Sequence, residues 1–254
     1  MSKGKYAKGW VPDRPDWHDH LYSAPLVGMT VLPPSIDLRP YCPPVVDQGQ
    51  LGSCTANAIA GAIEFDQMKQ KITAFAPSRL FIYYNERAEE GTVSSDSGAA
   101  IRDGIRSVNS QGACSETDWP YDISQFTVKP PEQAYTDALL TKAVQYQRIN
   151  NLSLIQMLGC LASESPFVFG VTVYESFESQ QVEQTGIVPM PQWGEQVLGG
   201  HCMTVVGYNT SNQWFIVRNS WGTSFGDKGY LYIPFQMLVN PYLSSDFWTI
   251  KLVS

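Results

Sequence analysis

The 254-residue sequence is poor in charge: Asp, Glu, Lys and Arg make up 16%, against 43% hydrophobic residues. Such a composition excludes a disordered chain and can bury a full core. Cationic residues are the scarcer sign, 17 Lys and Arg against 24 Asp and Glu, for a formal net charge of −7. That balance argues against a nucleic-acid partner. No run of 18 apolar residues occurs, so no membrane span or membrane partner is expected. The opening MSKGKYAKGWVPDRPDW has positive charge but no apolar stretch behind it, so no cleaved signal peptide is expected. The expected location is the cytoplasm, or outside the cell by a route without a cleaved signal. Histidine is rare: His18, His20 and His201 only. The five cysteines, Cys42, Cys54, Cys114, Cys160 and Cys202, form no C-x-x-C pair. A Cys/His zinc cluster of standard spacing is therefore missing, and no metal or organic cofactor is expected. An odd count leaves at least one thiol unpaired in the expected monomer. Cys160 and Cys202 sit in apolar runs and read as buried thiols.

What is abundant is loop and aromatic residue: 20 Gly and 17 Pro, with 13 Tyr, 11 Phe and 7 Trp for core and groove walls. Residues 1–31 hold Pro12, Pro15, Pro25 and Gly28 among Trp10, Trp17 and Tyr22, and read as an extended arm lying on a surface. Prolines continue the extended character to Val46, and residues 48–52 form a glycine-rich turn. Apolar spacing then predicts a helix capped by Ser53 and ending before Pro77. Further helices are expected over about 77–88, 98–109, 132–141 and 152–163. Strands are expected over 167–173, 201–208, 213–219 and 229–233, separated by polar turns. Helices first and strands second is an α+β order. It implies a helical lobe over about 45–150 and a β-rich lobe over about 165–254, with a groove between them.

Cys54 falls between the glycine-rich turn and the first helix. Unpaired amides and the macrodipole at a helix N-terminus favour a thiolate, so this position is expected to lower the thiol pKa. A small buried core residue is the alternative reading. His201 is the one histidine outside the arm and opens a strand after Gly199 and Gly200. A nucleophilic thiolate needs an imidazole partner. Asn219, at the end of the next apolar strand, can accept a hydrogen bond from the imidazole nitrogen facing away from sulfur and fix the tautomer. Trp221 can roof that bond. Gln48, six residues before Cys54, can place its side-chain amide beside the Cys54 backbone amide as an oxyanion hole.

Together these motifs resemble the papain family of cysteine peptidases: Val46-Asp47-Gln48-Gly49-Gln50-Leu51-Gly52-Ser53-Cys54-Thr55-Ala56, Gly200-His201-Cys202-Met203-Thr204-Val205-Val206-Gly207-Tyr208, and Val217-Arg218-Asn219-Ser220-Trp221-Gly222 continuing to Tyr230. The resemblance begins at Leu32-Pro33-Pro34-Ser35-Ile36-Asp37-Leu38-Arg39, which looks like a mature start. It implies a papain-like two-lobed fold, with a helical N-terminal lobe and an antiparallel β-barrel-like C-terminal lobe. It implies Cys54 as nucleophile, His201 as base and acid, Asn219 as orienter and Gln48 as oxyanion donor. It implies a substrate-binding set of Ser97, Gly98, Gly170, Gly200 and Trp221, in which Gly170 and Gly200 line the second specificity pocket. Leu51 stands where the family usually has cysteine, and Thr55 where it usually has tryptophan or tyrosine, so the familiar disulfide from position 51 cannot form. Residues 1–31 are too few for the long helical inhibitory prosegment. These departures resemble bacterial or viral members. The implied activity is endopeptidase cleavage of a protein or peptide substrate. From its aromatic and proline-rich composition, the arm is expected to be a self-contact restraining the groove, the competing reading being a structural strap packed behind the lobes. The competing readings are an acyl transferase or ligase using the same thiol, and a non-catalytic peptide-binding protein.

Overall fold

One helix, α1 (Cys54–Gln70), organises the molecule, and most of its residues are buried on every side. Its alanine- and isoleucine-rich sequence allows close approach from several directions, as a central helix requires. The structure, a computed structural model, describes residues 4–25, 32–72, 74–141 and 144–252. Around α1 pack α2 (Arg79–Glu90) and α3 (Ile101–Gln111), followed by the short α4 (Glu132–Ala138). Ser78 caps α2 by accepting a hydrogen bond from Phe81 N at 3.1 Å. Ser53 does not cap α1. Its hydroxyl pairs instead with the Tyr121 hydroxyl at 2.5 Å and accepts from Asn57 Nδ2.

The strands are β1 (Ser35–Asp37), β2 (Val144–Arg148), β3 (Phe167–Tyr174), β4 (Val197–Asn209), β5 (Trp214–Arg218), β6 (Tyr230–Pro234) and β7 (Ser244–Leu252). Helices α5 (Leu154–Ala162), α6 (Gln180–Thr185) and α7 (Phe235–Leu238) lie between them in sequence. The barrel-like closure implied by the resemblance is corrected here. All pairings are antiparallel, and the sheet runs β2-β7-β3-β4-β5-β6 with β1 added to β4, so its two ends do not meet. Each end is covered by chain from elsewhere. At β2, Tyr22 N donates to Arg148 O and Arg148 N to His20 O, both at 2.8 Å. At β6, Tyr232 N donates to Gly186 O at 2.7 Å and Val188 N to Tyr232 O at 3.0 Å. Edge groups satisfied in this way have no need of closure.

Period-two alternation sends the two faces of the sheet into different cores. Phe167, Phe169, Val171 and Val173 join Met203, Val205 and the α5 residues Met157 and Leu161 on one side. Val168, Cys202, Trp248 and Ile250 pack with Cys54, Ile59 and Ile63 of α1 on the other. Thr204 Oγ1 donates to Ala58 O of α1 across this contact. Central helix and central strands are thereby fixed against each other, which places the start of α1 beside β4. All five cysteines are free thiols, Cys42 half-buried and the other four buried. No helix among the described residues is long and apolar enough to cross a membrane.

Candidate active site

Two element ends and one strand come together here. Cys54 opens α1, His201 lies on β4, and Asn219 follows β5. The register Thr204↔Arg218 between β4 and β5 sets the last two side by side. His201 Nε2 lies 2.7 Å from Asn219 Oδ1, which also accepts from Ser220 N at 2.8 Å. That contact makes Nε2 the protonated nitrogen and leaves Nδ1 as the basic one. Nδ1 is buried and has no hydrogen-bond partner among the described residues. Trp221 stacks on the imidazole, ring centres 4.4 Å apart and planes 23° from parallel, and is itself buried.

Gln48 is wholly buried. Its backbone N donates to Ser220 O, and its Oε1 accepts from Ser220 Oγ at 2.6 Å. Its Nε2 donates to Leu51 O at 2.9 Å and to Ala7 O at 3.4 Å. Ser220 thus fixes which end of the Gln48 amide faces the groove. Its position between Asn219 and Trp221 gave no sign of that role, because the partner is 172 residues away. A second tie joins the turn before Cys54 to Asp96. Both Asp96 carboxylate oxygens accept from Gly52 N, at 3.0 and 3.1 Å, and the Tyr83 hydroxyl donates to Asp96.

The substrate-binding residues expected from the resemblance divide by their contacts. Gly9 O accepts from Ala99 N at 2.8 Å, Val11 N donates to Ala99 O at 3.0 Å, and Trp10 N donates to Gly200 O at 3.0 Å. Gly98 has φ +71°, and a Cβ there would lie 1.9 Å from Gly9 O. That position requires glycine both for its backbone and for the close approach. Cβ atoms at Gly170 or Gly200 would fall 1.9 Å from the Trp10 ring and 2.4 Å from Trp10 O. Trp221 Nε1 donates to Ala7 O at 3.2 Å, and Tyr6 stacks on the Trp221 ring at 4.6 Å. Ser97 departs from this set: its hydroxyl bonds Thr92 and Gly98 O within its own loop.

Burial governs the electrostatics. Cys54 and His201 are both fully buried. Loss of solvent pushes the Cys54 thiol up to about 12, and backbone hydrogen bonds from Cys202, Gly9 and Thr55 offset only part of this. The expected lowering of the thiol at the helix start is therefore reversed in the arm-covered site. Full burial outweighs the partial charge of a helix terminus. Burial likewise pulls the His201 imidazole down to about 3, against the Asn219 hydrogen bond that raises it. Thiol and imidazole are both neutral here.

A buried neutral imidazole binds fewer protons than an exposed one between about 3 and its ordinary 6.5. His201 thus stabilises the covered site fully above pH 6.5 and loses that contribution as the pH falls towards 3. Asp13 acts in the opposite sense. Burial, then the nearby Asp246, push it from 3.8 up to about 6, so its contribution is greatest at low pH and falls across that interval. Histidine NMR of the full chain should show the His201 ring unprotonated down to about pH 4. A ring titrating near its ordinary 6.5 would contradict control by burial.

The family model described as "Papain family cysteine protease" matches residues 32–238. A crystal structure of xylellain, a cysteine protease from Xylella fastidiosa, superposes with a TM-score of 0.93 at 40% identity, covering 100% of this chain and 99% of that one. An uncharacterised peptidase C1-like protein of Acanthamoeba polyphaga mimivirus is 48% identical over 217 residues, covering 82% of this chain and 70% of that protein. Cathepsin K of Mus musculus is 31% identical over 86% of this chain, which spans 64% of that protein's length. With a family match across most of its length and a close structural likeness over all of it, the chain belongs to the papain family of cysteine proteases.

Proposed function

We propose that this cysteine endopeptidase cleaves extended polypeptides with Cys54 as nucleophile, His201 as acid and base, Asn219 as orienter and Gln48 as oxyanion donor. The observation that carries the reading is the Gln48 amide. It is buried and oriented by Ser220, and it reaches a peptide carbonyl, Ala7 O, at the groove. The Cys54 proton passes to His201 Nδ1 once the groove admits substrate and solvent. The thiolate attacks the scissile carbonyl carbon, and Gln48 Nε2 with the Cys54 N–H holds the oxyanion. The imidazolium protonates the leaving amine. Water then gives its proton to His201, and hydroxide releases the acid from the thioester. An extended substrate suits walls that pair with backbone on both sides, at Ala99 and Gly200.

Cys54→Ala should abolish cleavage of an unfolded protein substrate while the variant folds normally. Gln48→Ala should slow single-turnover acylation by about 10² to 10³ with little change in substrate affinity. Equal cleavage by Cys54→Ala and the parent would sink the nucleophile assignment. Lost affinity with unchanged acylation would make Gln48 a binding residue.

We infer also that residues 32–254 form the catalytic unit and residues 1–31 restrain it. Hydrogen bonds and stacking from Tyr6, Ala7, Gly9 and Trp10 to Trp221, Gln48, Ala99 and Gly200 support this reading. Farther along, Asp19 pairs with Arg102 at 2.6 Å and with Arg148 at 2.9 Å, ties that can hold the arm while its groove segment lifts. Residues 26–31 lie outside the described chain. Tyr6→Ala and Trp10→Ala, each in the full chain, should raise turnover of a small fluorogenic peptide at least about tenfold, since each removes a large aromatic anchor. Unchanged kinetics with earlier melting would make the arm a structural strap.

A further inference from the structure

The strand that carries His201 carries a thiol directly after it. His201 stacks on Trp221, and the alternation of β4 turns Cys202 the other way, into the core beside α1. Among the described residues, Cys54 and Cys202 are the two cysteines of that core, with Val168 and Trp248 in the same cluster. Cys42 and Cys160 belong to the core on the opposite face of the sheet, and Cys114 to a third cluster. Both Cys54 and Cys202 are free thiols, and the chemistry proposed above makes no use of the Cys202 sulfur.

The two residues meet directly. The Cys202 backbone N–H donates to the Cys54 sulfur. An amide that donates to a sulfur brings its own Cα to roughly 4 to 5 Å from it. A disulfide needs Cβ atoms about 3.5 to 4.5 Å apart, a span that rotation about the two χ1 angles closes from such a start. Burial, and next the neighbouring Cys54, hold the Cys202 thiol well above its ordinary value, so it stays a thiol until a partner sulfur is activated.

We propose that Cys54 and Cys202 form a modification site, at which a hydroperoxide makes a reversible disulfide that switches the peptidase off and spares Cys54 from irreversible oxidation. The proposal rests on the reading of Cys54 as the nucleophile. Once the groove opens, the Cys54 proton passes to His201 and the thiolate attacks one oxygen of the hydroperoxide. The O–O bond breaks, the sulfur gives up two electrons, and the released alkoxide takes the proton from His201. Cys54 is then a sulfenic acid. The Cys202 sulfur attacks it, the S–O bond breaks, and the departing hydroxide takes the Cys202 proton and leaves as water. In sum, two thiols and one hydroperoxide give one disulfide, one alcohol and one water. A thiol reductant reverses the change.

Hydrogen peroxide is the probe. The full chain and full-length Trp10→Ala are treated until turnover of a small fluorogenic peptide ceases. Free thiols are then alkylated under denaturing conditions, and the unreduced digest is mapped by mass. The Cys54 and Cys202 peptides should be found joined, and dithiothreitol should restore most of the turnover. With Cys202→Ala, the same treatment should leave Cys54 as sulfinic or sulfonic acid, and the fraction of activity recovered should fall at least about tenfold. If that variant misfolds, the map of the parent decides alone. Turnover that persists in excess peroxide, turnover lost while Cys202 is alkylated, or a recovered fraction unchanged by Cys202→Ala would overturn the proposal. The joined peptides are read by mass and not by activity. A Cys54→Ala variant that still cleaves substrate would therefore sink the nucleophile reading without removing the cross-link, and a missing cross-link would leave that reading intact.

Discussion

A single hydrogen bond, His201 Nε2 to Asn219 Oδ1, sets the chemistry that the fold can perform. It directs the free imidazole nitrogen away from the β5 end, and it exists only because β4 and β5 hold their register. Trp221 covers it, so water does not compete for the amide oxygen. Helix α1 joins the same arrangement through buried contacts with β3, β4 and β7. Ser220 extends it to the far side by orienting Gln48. The neutral imidazole, protonated at Nε2, is thus a product of strand pairing and apolar packing, with no charged partner needed to hold it.

The same burial that orients these groups keeps both of them neutral. A thiol pushed up to about 12 and an imidazole pulled down to about 3 do not exchange a proton at neutral pH. On the proposed reading, the arm keeps the site inactive by excluding water as well as by occupying space. Removing Tyr6 and Trp10 from the groove restores solvent, and the helix terminus and the imidazole then act in the direction expected from sequence. Restraint and activation become two solvation states of one set of residues.

Much of the site was legible because its side chains sit in short local motifs. Gln48, Cys54, His201, Asn219 and Trp221 each carry their own sequence context, and the turn or strand expected around each is present. The long helix followed from apolar spacing, and strands β3 to β6 from β-rich runs between polar turns. Strand β7 did not, since it is buried on both faces, which leaves no apolar-polar alternation to read. The short β1, of three residues, carries too few to show a period. Ser53 read as a cap, but Tyr121, 68 residues away, takes its hydroxyl. The open sheet was hidden for a related reason: whether β2 and β6 need each other depends on distant chain that covers them. Ser220 was likewise invisible, because its contact lies with a tertiary partner.

Control by burial is tested most directly by the ultraviolet absorbance of the Cys54 thiolate, isolated as the difference between the full chain and its Cys54→Ser variant across pH. No thiolate signal from Cys54 should appear between about pH 5 and 9 while the arm is in place, because a fully desolvated thiol keeps its proton there. A thiolate signal at neutral pH in the unaltered full chain would contradict this, for the nucleophile would then be ionised beneath the arm and burial would not be what holds the site inactive.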